Sequence, residues 1–295
     1  MTTDGRSGRT LTAFATTAAA LCLLAGCASS ATTDTAAAGA PKSSAASTAI
    51  PTEDVVSGVG ADPALRAELP AAVRASGTLT LGTTLAPGTA GLPHGGQNAA
   101  GQNIGLDVDL RNAVAKVLGI TWKVQYGTFP TVIPGVQNGT FDVGQDNFGV
   151  TRAREQVVSF ATYLDDGQSF LGGSADKLTS VTGLTDLCGL TIATSPGSTF
   201  QQILTAGAAK CAAAGKSPYT VQYFDDSAPI FLGLANGKVD IYFGPTLSLK
   251  YEAAHLPGTT YLGQLSTTPV GFVHRQGLAA GEGAQRRGQR ADRQR

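Results

Sequence analysis

Residues 187–215 read LCGLTIATSPGSTFQQILTAGAAKCAAAG. A short apolar run, a Pro-Gly turn and a long Ala-rich segment in that order predict a strand, a turn and a helix. Downstream the alternation continues. YTVQYF is a strand, SAPIFLGLANG a helix closed by Gly237, and KVDIYFGP a strand. Upstream the same pattern has already run once. TLTLGTT and TWKVQYGTF are strands on either side of LDVDLRNAVAKVLG, where Leu106, Leu110, Val114, Val117 and Leu118 stand at helical spacing before the capping Gly119. PTVIPGVQNG is a short helix, FDVGQDNF a strand and loop, TRAREQ a turn or two of helix, and VVSFATYL a strand. Strands alternating with helices predict an α/β fold with a mainly parallel sheet. The repetition predicts two similar lobes, residues 61–166 and 167–265, with a hinge near 165–174 and a return strand at 266–273. A ligand site between two such lobes belongs at the carboxyl ends of strands. Residues from Asp62 to Gly77 are expected to form one opening helix, and 86–104, rich in Gly, Pro and Asn, a long loop.

Composition narrows the function. The 295 residues carry no formal net charge and only 14% are charged, so there is no basic stripe for nucleic acid. His94, His255 and His274 are scattered without metal-ligand spacing, and no metal or cofactor is expected. GKS at 215–217 lacks the upstream glycine of a phosphate loop, and no serine elbow occurs. Residues 1–27 form an export signal: Arg6 and Arg9 precede an apolar run too short to span a bilayer, and it ends in Leu-Ala-Gly-Cys. That ending resembles the lipobox of bacterial lipoproteins, which makes Cys27 the candidate lipidation site. Residues 28–60, mostly Ala, Ser and Thr, read as a tether. A flexible chain of that length reaches roughly 30 Å. Cys188 and Cys211 are then the two cysteines of the body, and in an exported protein they are expected to pair, two free thiols being the alternative.

Five stretches carry a family resemblance: GLDVDLRNAVAKVLG (105–119), FPTVIPGVQNGTFDV (129–143), TRAREQVVSF (151–160), LCGLTIATSPGST (187–199) and LANGKVDIYF (234–243). In order and spacing, over about residues 62–273, they resemble the family 3 extracellular solute-binding proteins, the polar amino-acid receptors of ABC importers. The resemblance implies a two-lobed periplasmic-binding-protein-like fold of type II. It implies that the protein is not an enzyme but a monomeric receptor, lipid-anchored to the outer face of the cell membrane and serving a permease. By the same resemblance Arg154 forms a two-pronged salt bridge with a ligand carboxylate, as a planar guanidinium can. Gly197, Ser198 and Thr199 present free N–H groups to that carboxylate, Phe129 packs on the ligand, and Asn147 and Gly149 add polar or backbone contacts. Two departures stand out. Pro245 occupies the position where the family carries an acid for the ligand ammonium, so that contact is lost. Asp146, Asp225 and Asp226 are candidates to supply the charge, a solvated role being the alternative for each, and a carboxylate ligand is better supported than an α-amino acid. Asp107 and Asp109 read as helix-start residues. The second departure is the Arg-rich tail, residues 274–295, which replaces the family's closing helix and reads as a shifted frame or a diverged end. The competing functions are a cyclohexadienyl-dehydratase-like lyase on the same fold and a truncated family member that no longer binds.

Overall fold

The computed structural model describes residues 53–174 and 178–277. The expected signal, Cys27, most of the tether and residues 278–295 of the tail lie outside these. Among the described residues no helix is long and apolar enough to cross a membrane.

An eight-stranded sheet runs through the molecule in the order β4-β1-β5-β10-β6-β9-β7-β8. At one end β1 (Thr78–Thr84) lies parallel to both β4 (Thr121–Gly127) and β5 (Val143–Gly149). At the other, β7 (Thr191–Thr194) lies parallel to β8 (Thr220–Tyr223) and β9 (Ile241–Pro245). Two long antiparallel strands, β6 (Ser159–Gly172) and β10 (Thr260–His274), join the trios. The C-terminal part of β10 pairs with β5, whereas the C-terminal part of β6 pairs with β9. Each long strand therefore contributes to both ends of the sheet. β2 (Gly96–Gln97) and β3 (Asn103–Ile104) form a small separate hairpin inside the long loop.

Alternation along the strands sets the core. Phe170 of β6, Ile192 of β7, and Ile241 and Phe243 of β9 point to one face, with Leu187 and Leu204. Their neighbours Leu171, Ala193 and Tyr242 point to the other, against Ile230, Leu234 and Leu249. A sheet buried on both faces needs apolar side chains at successive positions, which accounts for the run IYF. The β5 end is different. Val132 and Val136 of α4 (Phe129–Asn138) cover Phe148 and Val273 on one face. On the other, α3 (Leu106–Leu118) buries fully only Asp107 and Arg111, leaving Leu110, Val114 and Val117 half-buried.

Several elements differ from the sequence expectation. The opening helix is two, α1 (Pro63–Glu68) and α2 (Ala71–Ser76), because Pro70 cannot donate the hydrogen bond that would join them. The long helix after the Pro-Gly turn is α6 (Thr199–Gly207) followed by the single turn α7 (Lys210–Ala213). β6 runs on through 165–172, past Leu164 where the strand VVSFATYL is expected to end, and His274, counted with the tail, closes β10. Cys188 and Cys211 form a disulfide that ties the 3-10 turn Leu184–Leu187 to α7.

Candidate functional site

A cavity of about 180 Å³ lies where the carboxyl ends of the parallel strands of both sheet ends meet the crossing of β6. The first contributor is a four-residue helix, α5 (Arg152–Glu155), started by Thr151, whose hydroxyl accepts from the Arg154 N–H at 3.3 Å. This cap fixes the backbone that carries Arg154, which is only 7% exposed. Its Nη1 donates to the Gly149 carbonyl at 2.8 Å and its Nη2 to the Gly197 carbonyl at 3.0 Å. The guanidinium lies 5.6 Å from the ring centres of both Phe129 and Phe148, which pack 4.8 Å apart. Burial pushes its pKa down to about 10, so it keeps its charge at neutral pH. Among the described residues no carboxylate pairs with it. A buried cation with only carbonyl partners has charge left to satisfy.

The start of α6 faces the same cavity. Ser198 caps the helix, accepting from the Gln201 N–H at 3.1 Å while its hydroxyl donates to the Ser195 carbonyl at 2.6 Å. The expectation that Gly197, Ser198 and Thr199 all offer N–H groups needs one correction. The Gly197 N–H donates to Gln201 Oε1 at 2.6 Å, because the left-handed turn at Gly197 (φ +71°) aims it at that side chain. The Ser198 and Thr199 N–H groups make no hydrogen bond among the described residues and sit at the positive end of the helix dipole. Gly149 lies close by. A Cβ there would meet the methyls of Thr268 and Thr199 at 3.1 and 3.2 Å.

The rest of the wall is acidic. Asp146 and Asn147 end β5, Asp166 stands where β6 crosses, Asp107 projects from the first turn of α3, and Asp225 and Asp226 follow β8. Sequence reasoning set His94 aside, yet the structure buries it in this cavity at 7% exposure. Its Nε2 lies 2.8 Å from Asp166 Oδ2 and its Nδ1 4.0 Å from Asp107 Oδ1. Desolvation disfavours the imidazolium, but the surrounding Asp166, Asp107 and Asp146 outweigh it and raise the His94 pKa. Asp166 is held below the usual carboxylate range: burial opposes ionisation, and hydrogen bonds from His94, Asn147 and Gly167 overcome it. Asp107 is raised by burial despite His94, the Tyr163 hydroxyl at 2.9 Å and Arg111. Asp107 does start a helix, as expected, but it also forms the wall. The signal available in the sequence was the Asp107 and Arg111 pair, four apart and therefore on one face of α3.

The structure thus brings together Arg154, Phe129, Asn147, Gly149, Ser198 and Thr199 on one cavity, with Gly197 at its edge through its carbonyl. Pro245 also lines it and brings no charge. No group of three or more His, Cys, Asp or Glu among the described residues is arranged for a metal ion.

With this geometry in view, residues 88–216 match the sequence profile of the bacterial extracellular solute-binding proteins, family 3. The match spans less than half of the chain. Among curated relatives is the arginine-binding protein ArgT of Corynebacterium glutamicum, 28% identical over 179 residues, which are 60% of this chain and 57% of that protein. The arginine-binding periplasmic protein of Mannheimia haemolytica is 25% identical over 61% of this chain and 69% of its own length. Among solved structures, an ancestral arginine-binding protein bound to arginine superposes with a TM-score of 0.59 and 28% identity, over 72% of this chain and 94% of that one. These neighbours share the type II periplasmic-binding fold, and those named are binding proteins rather than enzymes.

Proposed function

We propose that this protein is a family 3 solute-binding protein, the extracytoplasmic substrate-binding component of an ABC importer, capturing an amino acid or a similar small carboxylated solute. The observation that carries the reading is Arg154, a buried guanidinium with no carboxylate partner among the described residues, facing the Ser198 and Thr199 amides across one cavity. A ligand carboxylate would accept from both and so be held from the two ends of the sheet at once. Phe129 would pack on the ligand, while Asn147 and Gly149 add polar contacts. The names of the relatives favour an amino acid over a bare carboxylate. Binding and closure of two lobes, 61–166 and 167–265, about the crossing strands would be the whole mechanism, with no bond made or broken. The Leu-Ala-Gly-Cys ending at Cys27 supports a lipid anchor on the outer face of the cell membrane, a monomer delivering its solute to permease subunits.

The test is thermal melting of the purified protein against amino acids and simple carboxylates. A true ligand at a hundredfold over its Kd adds about 2.7 kcal/mol. Wild type should respond to one ligand class and the Arg154→Ala variant to none. If no member of the panel moves the wild-type melt, or the variant responds equally, the reading fails.

A further inference from the structure

We propose that Asp146, with Asn147 Oδ1 beside it, accepts a cationic nitrogen carried by the same solute whose carboxylate meets Arg154, so that the cleft selects solutes bearing both charges. The inference rests on the receptor reading above.

Five aspartates line the cavity, and their hydrogen bonds separate them. Asp166 has no capacity left. Its Oδ1 accepts from the Gly167 and Leu247 N–H groups at 2.7 and 3.2 Å, and its Oδ2 from His94 and Asn147 at 2.8 and 3.0 Å. A carboxylate offers about four such acceptor positions. Asp107 is taken up by Tyr163, His94 and Arg111. Asp225 and Asp226 are exposed at the rim, where water screens a charge heavily. Asp146 is different. Thr84 donates to its Oδ1 at 3.0 Å, but Oδ2 is sealed from solvent with no hydrogen-bond partner.

Two further buried atoms of the same wall are unpartnered. Asn147 donates its amide to Asp166, which leaves Oδ1 with nothing to accept, and its φ of +49° holds that side chain in the cavity wall. His94, more than nine-tenths buried, has no hydrogen bond at Nδ1. Buried polar atoms are seldom left unpaired, so a cluster of them on one cavity marks a ligand's place. Asp146 Oδ2 and Asn147 Oδ1 are unpartnered acceptors on consecutive residues of one cavity wall, and the complementary group is an ammonium or a guanidinium. Burial, opposed by Thr84 and His94, lifts the Asp146 pKa to about 7. A cation arriving there would favour the carboxylate and expel a proton at neutral pH. His94 and Asp107 act on this carboxyl directly, and Arg111, Tyr126, Arg154, Asp166, Asp225, Asp226 and Tyr242 also line the cavity.

Calorimetry with arginine, citrulline, 5-guanidinopentanoate and hexanoate tests this on wild type and Asp146→Asn. The substitution should weaken arginine about tenfold to a hundredfold, the usual worth of a hydrogen bond to a charged group, and leave hexanoate unchanged. A loss confined to citrulline among the two intermediate probes places the α-ammonium on Asp146. A loss confined to guanidinopentanoate places the side-chain cation there instead. Titration of wild type at pH 7 in two buffers of different ionisation enthalpy should show proton release with arginine that Asp146→Asn lacks, a readout separate from any loss of fold. Arginine binding that is indifferent to the substitution, or an equal loss across all four probes, overturns the inference and leaves the receptor standing. Wild type that binds none of the four overturns the receptor reading itself.

Discussion

At the scale of single residues, Arg154 is the cavity cation held in place without a carboxylate among the described residues. The two guanidinium bonds of Arg154 go to carbonyls of different sheet ends, Gly149 and Gly197, in a fixed planar fork. A lysine at 154 keeps the charge and loses the fork. Arg154→Lys should therefore weaken the ligand by at least about tenfold, on the order of 1.4 kcal/mol or more, with calorimetry as the readout. Glu252 offers a contrasting case, away from the cavity. It is 5% exposed on α9 (Thr246–His255), with Oε1 unpartnered, and burial raises its pKa to about 7. The folded protein then binds this proton more tightly than the unfolded chain does. Stability from the protonated form is complete below the unfolded value of 4.5 and is lost as pH rises towards 7. Glu252→Gln should accordingly raise the unfolding free energy at pH 8 by on the order of 2 kcal/mol, read as a higher melting temperature, and leave it unchanged at pH 4. Arg154 was legible in the sequence because TRAREQVVSF is a local motif. His94 was not, since its partner Asp166 lies 72 residues away and only the folded sheet brings them together.

At the scale of elements, the repeated strand and helix signals were readable because each rests on local periodicity. β6 shows where local reading stops. Its second half, Asp165–Gly172, contains two glycines and two charges, which read as a junction, yet it pairs with β9 and β10 along its length. Strand pairing supplied by distant chain overrode local propensity. α9 was missed for a related reason, since it follows Pro245 directly and buries Thr246, Ser248 and Glu252 along with Leu249, so no apolar stripe announces it. The disulfide, by contrast, was expected from the cysteine count together with the export signal, with two free thiols as the alternative. It fastens α7 to the 3-10 turn across a separation of 23 residues, and α7 is too short to persist unaided. Replacing both cysteines by serine should lower stability by about 3 kcal/mol, measured by urea unfolding, and leave ligand affinity nearly unchanged because the bond lies outside the cavity wall.

At the scale of the whole molecule, two kinds of contact join the sheet ends across the cavity. One is the Arg154 bond to the Gly197 carbonyl, and the other is the Ser227 hydroxyl donating to the Ala90 carbonyl at 3.0 Å. The β6 and β10 strands are the covalent connections between the same ends, so the closure proposed above would bend those two strands. At Gly149 that approach is close, because a Cβ there would stand 3.1 and 3.2 Å from the methyls of Thr268 of β10 and of Thr199 from the other end, nearer than ordinary contact. Gly149 has no left-handed backbone requirement, so a larger residue strains no φ there, and its cost falls on the approach of the two ends. Gly149→Val should consequently fold with a melting temperature close to wild type when empty, but hold the ends apart like a wedge. Small-angle scattering would then show wild type contracting on ligand addition and the variant failing to contract, with affinity reduced at least about tenfold. A variant that still contracts and binds as wild type does would mean that Thr199 and Thr268 can give way, and that closure does not depend on the small residue at 149.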